Sequence, residues 1–537
     1  MTRELSFWGW GYADKFPGRA KRLALAGQIG LALGFRPGAP RNPPQLDDVE
    51  LSPPRVEVPT ALAAFASIER EDRIRHTYGR AYRDIVRGFY GDFSNAPDLV
   101  AHPRSEDEIV AVLDWADGAG VAVVPYGGGT SVVGGVEADG AGFRGVISLD
   151  LKRLDRVLEV DTVSRSARIQ AGATGPSLEK QLAIDGMTLR HFPQSFELST
   201  LGGWLATRAG GHFATVTTHI DDMVESIRML SPAGVQESWR LPASGAGPSP
   251  DRLALGSEGT LGVITEAWMR VLPKPRFRSR ASVFFDDFER ATDAVRAIAQ
   301  SGLHPSNCRL LDSREARLNR VVNDSSSVLI LGFEAADLEV EDRLDQALRL
   351  ALDAGGRCPD GPRHRRPGDA AASKDAAGTW RQAFFDGPYL QSSLVSLGVL
   401  ADTFETACTW ERFPALHQEL VHDVRAAMRR VCGSGFLSCR FTHVYPDGPA
   451  PYYTFLAPTR RGAELEHWAE IKQAAADTLH RHGATITHHH AVGRIHRPWY
   501  ERQAPGPFLD VLRAAKQTLD PRGILNPGAL FTTEPST

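Results

Sequence analysis

Cysteine is scarce in this chain, and its pattern excludes a disulfide scaffold. Five cysteines occur among 537 residues, all at or after Cys308, odd in number and without Cys-x-x-Cys spacing. Such usage fits reduced, buried thiols in a cytoplasmic protein. An excess of charge of one sign is missing too. The 61 basic and 65 acidic residues leave a net charge of −4, which gives nucleic acid no electrostatic footprint. No apolar run reaches the ~20 residues that a membrane span requires. The nearest approach, 23–35 (LALAGQIGLALGF), follows Lys21 and Arg22 but is interrupted by Gln28 and begins too late for a signal-peptide core. A short core helix is expected there, with peripheral membrane contact as the alternative. Glu534–Thr537 is no peroxisomal tripeptide. Neither the Gly-Lys-Ser/Thr of a Walker loop nor a G-x-G-x-x-G leading into a helix occurs at the glycine-rich turn.

What the chain has is a 42% apolar composition, enough for large cores and for two or more domains. Its organising stretch is 121–137. A β-branched run, Val121–Val124, ends at Pro125 and Tyr126 and opens into Gly127, Gly128, Gly129, Thr130 and Ser131. Glycines there let the backbone take positive φ and let an anion approach the main-chain N–H groups; the two hydroxyls add donors. Taken alone, the same stretch reads equally well as a hairpin turn.

Residues 1–92 form an N-terminal helical extension. It comprises an aromatic opening (FWGWGY, 7–12), a proline-rich connector over 37–59, and a helix over 62–89 whose Arg70, Arg73, Arg75, Arg80 and Arg83 form a solvated face. Residues 93–275 read as strand and helix around the glycine turn. A helix over 106–119 is capped at Ser105, with Glu108 at the reciprocal position. From 276 to about 500, strands at 282–285 and 328–333 flank a helix at 288–301, the pattern of an antiparallel sheet covered by helices. Residues 357–378 read as a mobile loop near the site or a disordered connector. The tail, 501–537, contains the turn-rich LDPRGILNPG (519–528).

Three features carry chemistry. Arg309 stands alone in an apolar strand (CRLLD, 308–312), which points to a bound carboxylate or phosphate. The aromatics Tyr445, Tyr452, Tyr453 and Phe455 fit a hairpin, either as sheet packing or around a site. The triplet His488, His489 and His490 admits zinc, a loop with chance histidines, or a strand whose imidazoles act on substrate. Alternation of side chains along a strand, and the lack of Asp, Glu or Cys at ligand spacing, make metal the weakest of these.

GGGTS (127–131), STLGG (199–203) and GSEGTLGVIT (256–265), in this order, resemble the FAD-binding (PCMH-type) domain of the vanillyl-alcohol-oxidase and D-lactate-dehydrogenase superfamily. The tail resembles that superfamily's closing motif. With FWGWGY, CRLLD, FETACTWER (404–412), SCRFTHVY (438–445) and HHHAVG (488–493), the resemblance narrows to the alkylglycerone-phosphate synthase family, over nearly the whole chain.

The resemblance implies an α+β fold: a two-lobed FAD-binding domain (93–275), an antiparallel cap domain (276–500), and a tail returning to the first domain. It implies exchange of the acyl group of an acyl-dihydroxyacetone phosphate for a long-chain alcohol, through a flavin N5 adduct and without net redox change. FAD, held non-covalently, would contact Pro125, Tyr126, Gly127–Ser131, Gln194, Ser195, Ser199, Thr200 and Gly202. Thr207, Arg208, Ala209, Gly210, Glu258, Gly259, Thr260, Gly262, Val263 and Ile264 would complete its site. Tyr452 matches the family's acid/base tyrosine, Arg309 its active-site arginine and His488, His489 and His490 its essential histidine trio, with Arg309 and the histidines as cations lowering the phenol's pKa. Arg309, His191 and Arg440 would bind substrate; no metal is expected. Gln194 and Gln391 stand where the family has an Asp and an Arg, which weakens the case for phosphate unless Arg363, Arg365 or Arg366 compensates. A homodimer and a lipid substrate are expected. The alternatives are an FAD oxidase or dehydrogenase of an apolar hydroxy compound or 2-hydroxy acid, and a flavin-free binding protein.

Overall fold

A computed structural model describes residues 3–140, 142–369 and 376–532. Among the described residues three sheets of four or more strands organise the fold, beside a two-stranded pairing of Met187–Thr188 with Leu272–Pro273. Leu99–Ala101, Gly145–Asp150 and Val121–Tyr126 lie parallel, with Ala66–Ser67 antiparallel on the outer edge of Leu99–Ala101. The strand 121–126 is buried along almost its whole length, which is what a continuous β-branched run requires. The helix Glu106–Ala119 that feeds it is punctuated at both ends. The Ser105 hydroxyl accepts the Glu108 N–H at 3.3 Å, three acids occupy the first turn, and Gly120 closes the helix in the left-handed conformation. The Glu108 carboxylate reaches back to the Arg104 N–H, one residue before the cap.

A second, antiparallel sheet runs in the order 157–161, 166–170, 263–270, 224–231 and 234–237. The third has seven strands, in the order 363–365, 277–285, 327–335, 307–311, 436–444, 449–458 and 399–405. Phe288–Gln300, Glu341–Asp353, Phe413–Cys432 and Glu464–Arg481 bury their apolar faces against it in the largest core. The tail returns to the first sheet: Leu525 bridges Val123 in parallel, through Val123 N–H to Ile524 O and Asn526 N–H to Val123 O, both 2.8 Å.

Two expectations are corrected. The single helix over 62–89 is instead a short strand and two helices, Arg70–Arg75 and Tyr82–Phe89. Its arginines are not a solvated face. Arg73 is buried and donates to Pro97 O and Ser52 O, Arg70 to Leu46 O and Val49 O, and Arg75 to Leu5 O, while Arg83 pairs with Glu137. Arg70, Arg73 and Arg75 thereby supply donors to main-chain carbonyls. Nor is 357–378 a loop throughout. Arg363–Arg365 pairs with Arg278–Arg280 as the edge strand, and Arg366 meets Glu341 at 2.9 Å. Residues 370–375 lie outside the described residues, as do Glu534–Thr537. Among the described residues no helix is long and apolar enough to cross a membrane.

Candidate active site

One cavity, about 1270 Å³, receives the glycine turn, the third sheet and the N-terminal extension together. That exceeds the ~300–1,000 Å³ of an ordinary small-molecule pocket. The glycine turn forms one wall. A Cβ on Gly127 would lie 2.3 Å from Thr200 Oγ1, one on Gly128 2.0 Å from Leu198 O, and one on Gly129 1.9 Å from the Tyr126 hydroxyl. Only Gly129 has positive φ, so the first two glycines serve close approach and not left-handed backbone. Among the described residues the N–H groups of Gly127–Ser131 make no hydrogen bond within the chain. Five free amides beside two hydroxyls form a nest for an anion, and a pyrophosphate-bearing dinucleotide fits that donor set. A Gly128→Ala variant should therefore fold with a shifted 198–199 loop and lose flavin; absorbance of the purified protein near 450 nm would check this.

Of the residues assigned to the cofactor, Gly127–Ser131, Gln194, Ser195, Ser199, Thr200, Thr207, Ala209 and Gly210 line this cavity. The others do not, and each has a structural duty. Pro125 packs on Gly259, and the Tyr126 hydroxyl lies under Gly129 and donates to Arg75 O. Gly202 lets its helix sit against Ala171, and Arg208 pairs with Asp221 at 3.0 Å. The Glu258 carboxylate accepts the Val492 and Gly493 N–H groups, anchoring the segment that follows the histidines. Burial pushes its pKa up to about 7 despite those bonds. Thr260 closes a turn on Ser257 O, Gly262 packs against Met229, and Val263 and Ile264 open the strand that pairs with Leu230 and Met229.

The opposite wall comes from adjacent strands of the third sheet. Tyr452 faces Glu405 in register on one side and Arg440 on the other. The Arg440 guanidinium lies 3.8 Å over the Tyr452 ring and is fixed by buried Glu315 at 2.5 Å. The Tyr452 hydroxyl donates to Thr403 Oγ1 at 3.0 Å. Burial raises the Tyr452 pKa, and Arg440 and Thr403 offset that only in part. The expected lowering by Arg309 is thus corrected: the nearer cation is Arg440, and the phenol stays protonated.

Arg309 is buried, with Trp380 and Phe384 4.7 and 5.3 Å away across their ring faces and the His212 carbonyl at 3.3 Å. It has no carboxylate partner among the described residues, and its Nε is unpaired. Burial and Arg440 push its pKa down to about 9, which leaves a cation at neutral pH facing the cavity. Trp380 and Phe384 belong to a long helix, Ala376–Ser396, that the sequence reading did not find.

The histidines divide. His489 and His490 line the cavity, packed 6.0 and 5.4 Å from the Tyr452 ring; His488 does not. His488 sits behind them, its Nε2 2.7 Å from the Tyr445 hydroxyl and its Nδ1 3.0 Å from His489 Nδ1. Buried Glu405, unmarked by the sequence reading beyond the FET motif, organises the triplet. It accepts the N–H groups of His488, His489 and His490 at 2.5, 3.2 and 3.0 Å and the Thr487 hydroxyl at 2.5 Å. Burial disfavours its charge, but the N–H groups and the Thr487 hydroxyl that donate to it favour the carboxylate and hold its pKa below the ordinary value. Burial lowers the pKa of all three histidines, so they are neutral imidazoles and not the cations expected. His443, His488 and His489 each place a nitrogen within 4.8 Å of the others. Both His443 nitrogens are already hydrogen-bonded, and Arg309 and Arg440 crowd the group with positive charge.

His191 is corrected as a substrate ligand. It lies buried under Gly211 against Trp204, outside the cavity lining, and burial pushes it down to about 3. Gln194 and Gln391 do line the cavity, but their amides are spent on Phe384 O and Ala401 O. Arg363, Arg365 and Arg366 do not reach it, whereas Arg314, Arg317 and Arg320 do.

Two family models cover the two main parts of the chain. The family model "FAD binding domain" matches 97–238, and "FAD linked oxidases, C-terminal domain" matches 274–530. Alkyldihydroxyacetonephosphate synthase of Dictyostelium discoideum is 32% identical over 514 residues, covering 91% of this chain and 83% of the relative. Mitochondrial D-lactate dehydrogenase [cytochrome] of Arabidopsis thaliana is 26% identical over 485 residues, covering 88% and 81%. A solved alkyldihydroxyacetonephosphate synthase superposes with a TM-score of 0.83 at 27% identity, over 97% of this chain and 98% of that one. With an FAD-binding domain, a matching cap and near-complete coverage, the chain belongs to the alkyldihydroxyacetonephosphate synthase-like family of FAD-linked oxidases.

Proposed function

We propose that this enzyme exchanges the acyl group of an acyl-dihydroxyacetone-phosphate-like lipid for a long-chain alcohol, with FAD held non-covalently in the glycine nest. The observation that carries the reading is the composition of the cavity. The nest and the Tyr452–Arg309 end share it with an apolar wall of Leu25, Ile29, Leu33, Leu394, Phe436 and Leu456, which also form one packed cluster. An alkyl chain has a place on that wall, and an anionic head has one at Arg309.

Bound FAD would supply a centre able to donate and take back an electron pair, so the exchange needs no outside oxidant. The chain's residues handle protons and position. Arg309 holds the anionic group and Tyr452, a protonated phenol, gives a proton to the departing carboxylate. Neutral His489 or His490, each with its Nδ1 side turned to Glu405 at 3.6 Å, accepts the proton of the incoming alcohol and passes it back to the Tyr452 oxygen, so the enzyme ends as it began. A carbon–oxygen bond to the carboxylate breaks and one to the alcohol forms.

Anaerobic mixing of FAD-loaded protein with acyl-dihydroxyacetone phosphate and hexadecanol tests this. Fatty acid should be released in step with ether product, with no lasting loss of flavin absorbance. The second reading, an FAD dehydrogenase of a hydroxy compound, draws on the likeness to D-lactate dehydrogenase and on the same neutral imidazoles. It requires bleaching by the hydroxy compound alone, and that outcome without fatty acid would replace the first reading.

A further inference from the structure

The glycine nest supplies N–H dipoles but no full positive charge, and a pyrophosphate brings two negative charges into a half-enclosed cavity. Its counter-charge must come from another element. Arg80, in the N-terminal extension, lines the same cavity beside the turn. Its backbone N–H donates to Ser131 O at 2.6 Å. Gly79 packs so closely that a Cβ there would lie 2.4 Å from that oxygen, so the loop is seated flush on the nest.

The Arg80 guanidinium is clasped by two main-chain carbonyls, Gly79 O at 2.7 Å and Ser6 O at 3.3 Å. Its neighbours in sequence are neutralised: Arg75 by Glu71, and Arg83 and Arg87 by Glu137. Arg80 has no such carboxylate among the described residues. Two acids whose charges act on Tyr126 are also accounted for. Asp150 is taken up by His76, His102 and Lys152, and Asp84 is buried with its pKa pushed up to about 6. A fixed cation whose charge is left open, held by neutral oxygens at the lip of five free amides, is arranged for an anion that arrives with a ligand.

We propose that Arg80 binds the pyrophosphate of the dinucleotide, completing the cofactor site from outside the FAD-binding domain. The clasp by Ser6 O gives the aromatic opening a duty as well. The hairpin closed by the Leu5–Tyr12 bridge holds the guanidinium over the nest. This inference rests on the FAD reading of the nest, and the two fail separately. If the flavin-stripped wild-type protein binds no FAD, that reading fails. If it binds FAD indifferently to Arg80, only this inference fails.

The test is a fluorescence titration of flavin-stripped protein with FAD and with riboflavin, which shares the ring but lacks phosphate. Arg80→Gln should weaken FAD about ten- to hundredfold, the scale of one charge-assisted contact, and leave riboflavin within about twofold. The dependence of FAD affinity on salt should become shallower in the variant. Arg80→Met keeps the aliphatic stem and serves if the Gln variant does not fold; the thermal midpoint of each stripped variant reports on folding. Unchanged FAD affinity, equal weakening of FAD and riboflavin, or an unchanged salt dependence would overturn the proposal.

Discussion

Tyr452→Phe is expected to lower turnover by about 10²- to 10⁴-fold, the usual contribution of a positioned general acid or base. Flavin binding should be unchanged, because Tyr452 touches the cavity from the third sheet and not from the nest. The structural cost is small: one phenol-to-Thr403 bond at 3.0 Å is lost, worth about 1 kcal/mol, and the ring still packs under Arg440. Folding and chemistry are thereby separated in one variant. The direction of the Tyr452 pKa fixes the accompanying pH behaviour. Raised by burial, the phenol remains a proton donor through neutral and mildly alkaline pH, so the wild-type rate should show no alkaline fall below about pH 9. A variant with a preserved rate, or a wild-type profile falling near pH 7, would remove Tyr452 from the proton-transfer role. Single-turnover release of fatty acid, followed across pH, makes both measurements.

The parts of this site legible in the sequence are those dictated locally. A glycine run after a β-branched strand has few other uses, and Ser105 with an acidic first turn marks a helix start wherever it lies. The histidine triplet and Arg309 were conspicuous because such groups are rarely placed in apolar surroundings without purpose. What escaped depends on register and distance along the chain. Glu405 and Tyr452 meet only because two strands of the third sheet pair in one register, and the Glu405 role in holding 488–490 spans more than 80 residues. Helical spacing shows which face Arg70, Arg73, Arg75 and Arg83 share but not the carbonyls of 46, 49, 52 and 97 that await the first two, nor Leu5 O and Glu137 that await Arg75 and Arg83. Ala376–Ser396 was hidden by Gly378, Gly387 and Pro388, which weaken helical propensity; packing of Trp380 and Leu394 against the sheet side prevails. The signs of the pKa shifts also lay beyond sequence, since burial decides them. Imidazoles expected to be cations turned out neutral for that reason.

Acid should unfold this protein earlier than its carboxylates alone would. His191 and His496 are buried and His212 and His417 half-buried, and desolvation pushes them down to about 3, 3, 4 and 4. Each has a folded pKa below its unfolded value of about 6.5, so below that pH the unfolded chain binds the proton and the folded one refuses it. Stability is then lost as pH falls from about 6.5, at about 1.4 kcal/mol per unit for each such group. Three acids act in the opposite sense. Glu258 and Asp312 are pushed up to about 7 and Asp84 to about 6, so protonation below these values relieves the folded state. Four groups against three leave a net uptake of about one proton on unfolding, before the lowered cavity histidines add theirs. From these seven groups that is about 1.4 kcal/mol per pH unit, against a total stability of about 5–15 kcal/mol. At the alkaline end His102, raised to about 9 between Asp150 and Asp72, contributes stability that is full below its unfolded pKa and disappears as pH rises through 9. The thermal midpoint should therefore be highest near neutrality and fall by several degrees or more between pH 6.5 and 5, with proton uptake measurable by calorimetry in buffers of different ionisation enthalpy. His191→Leu removes one of the four and should flatten the acid limb. A midpoint that stays level or climbs down to pH 5 would mean that these imidazoles are not held neutral by the fold.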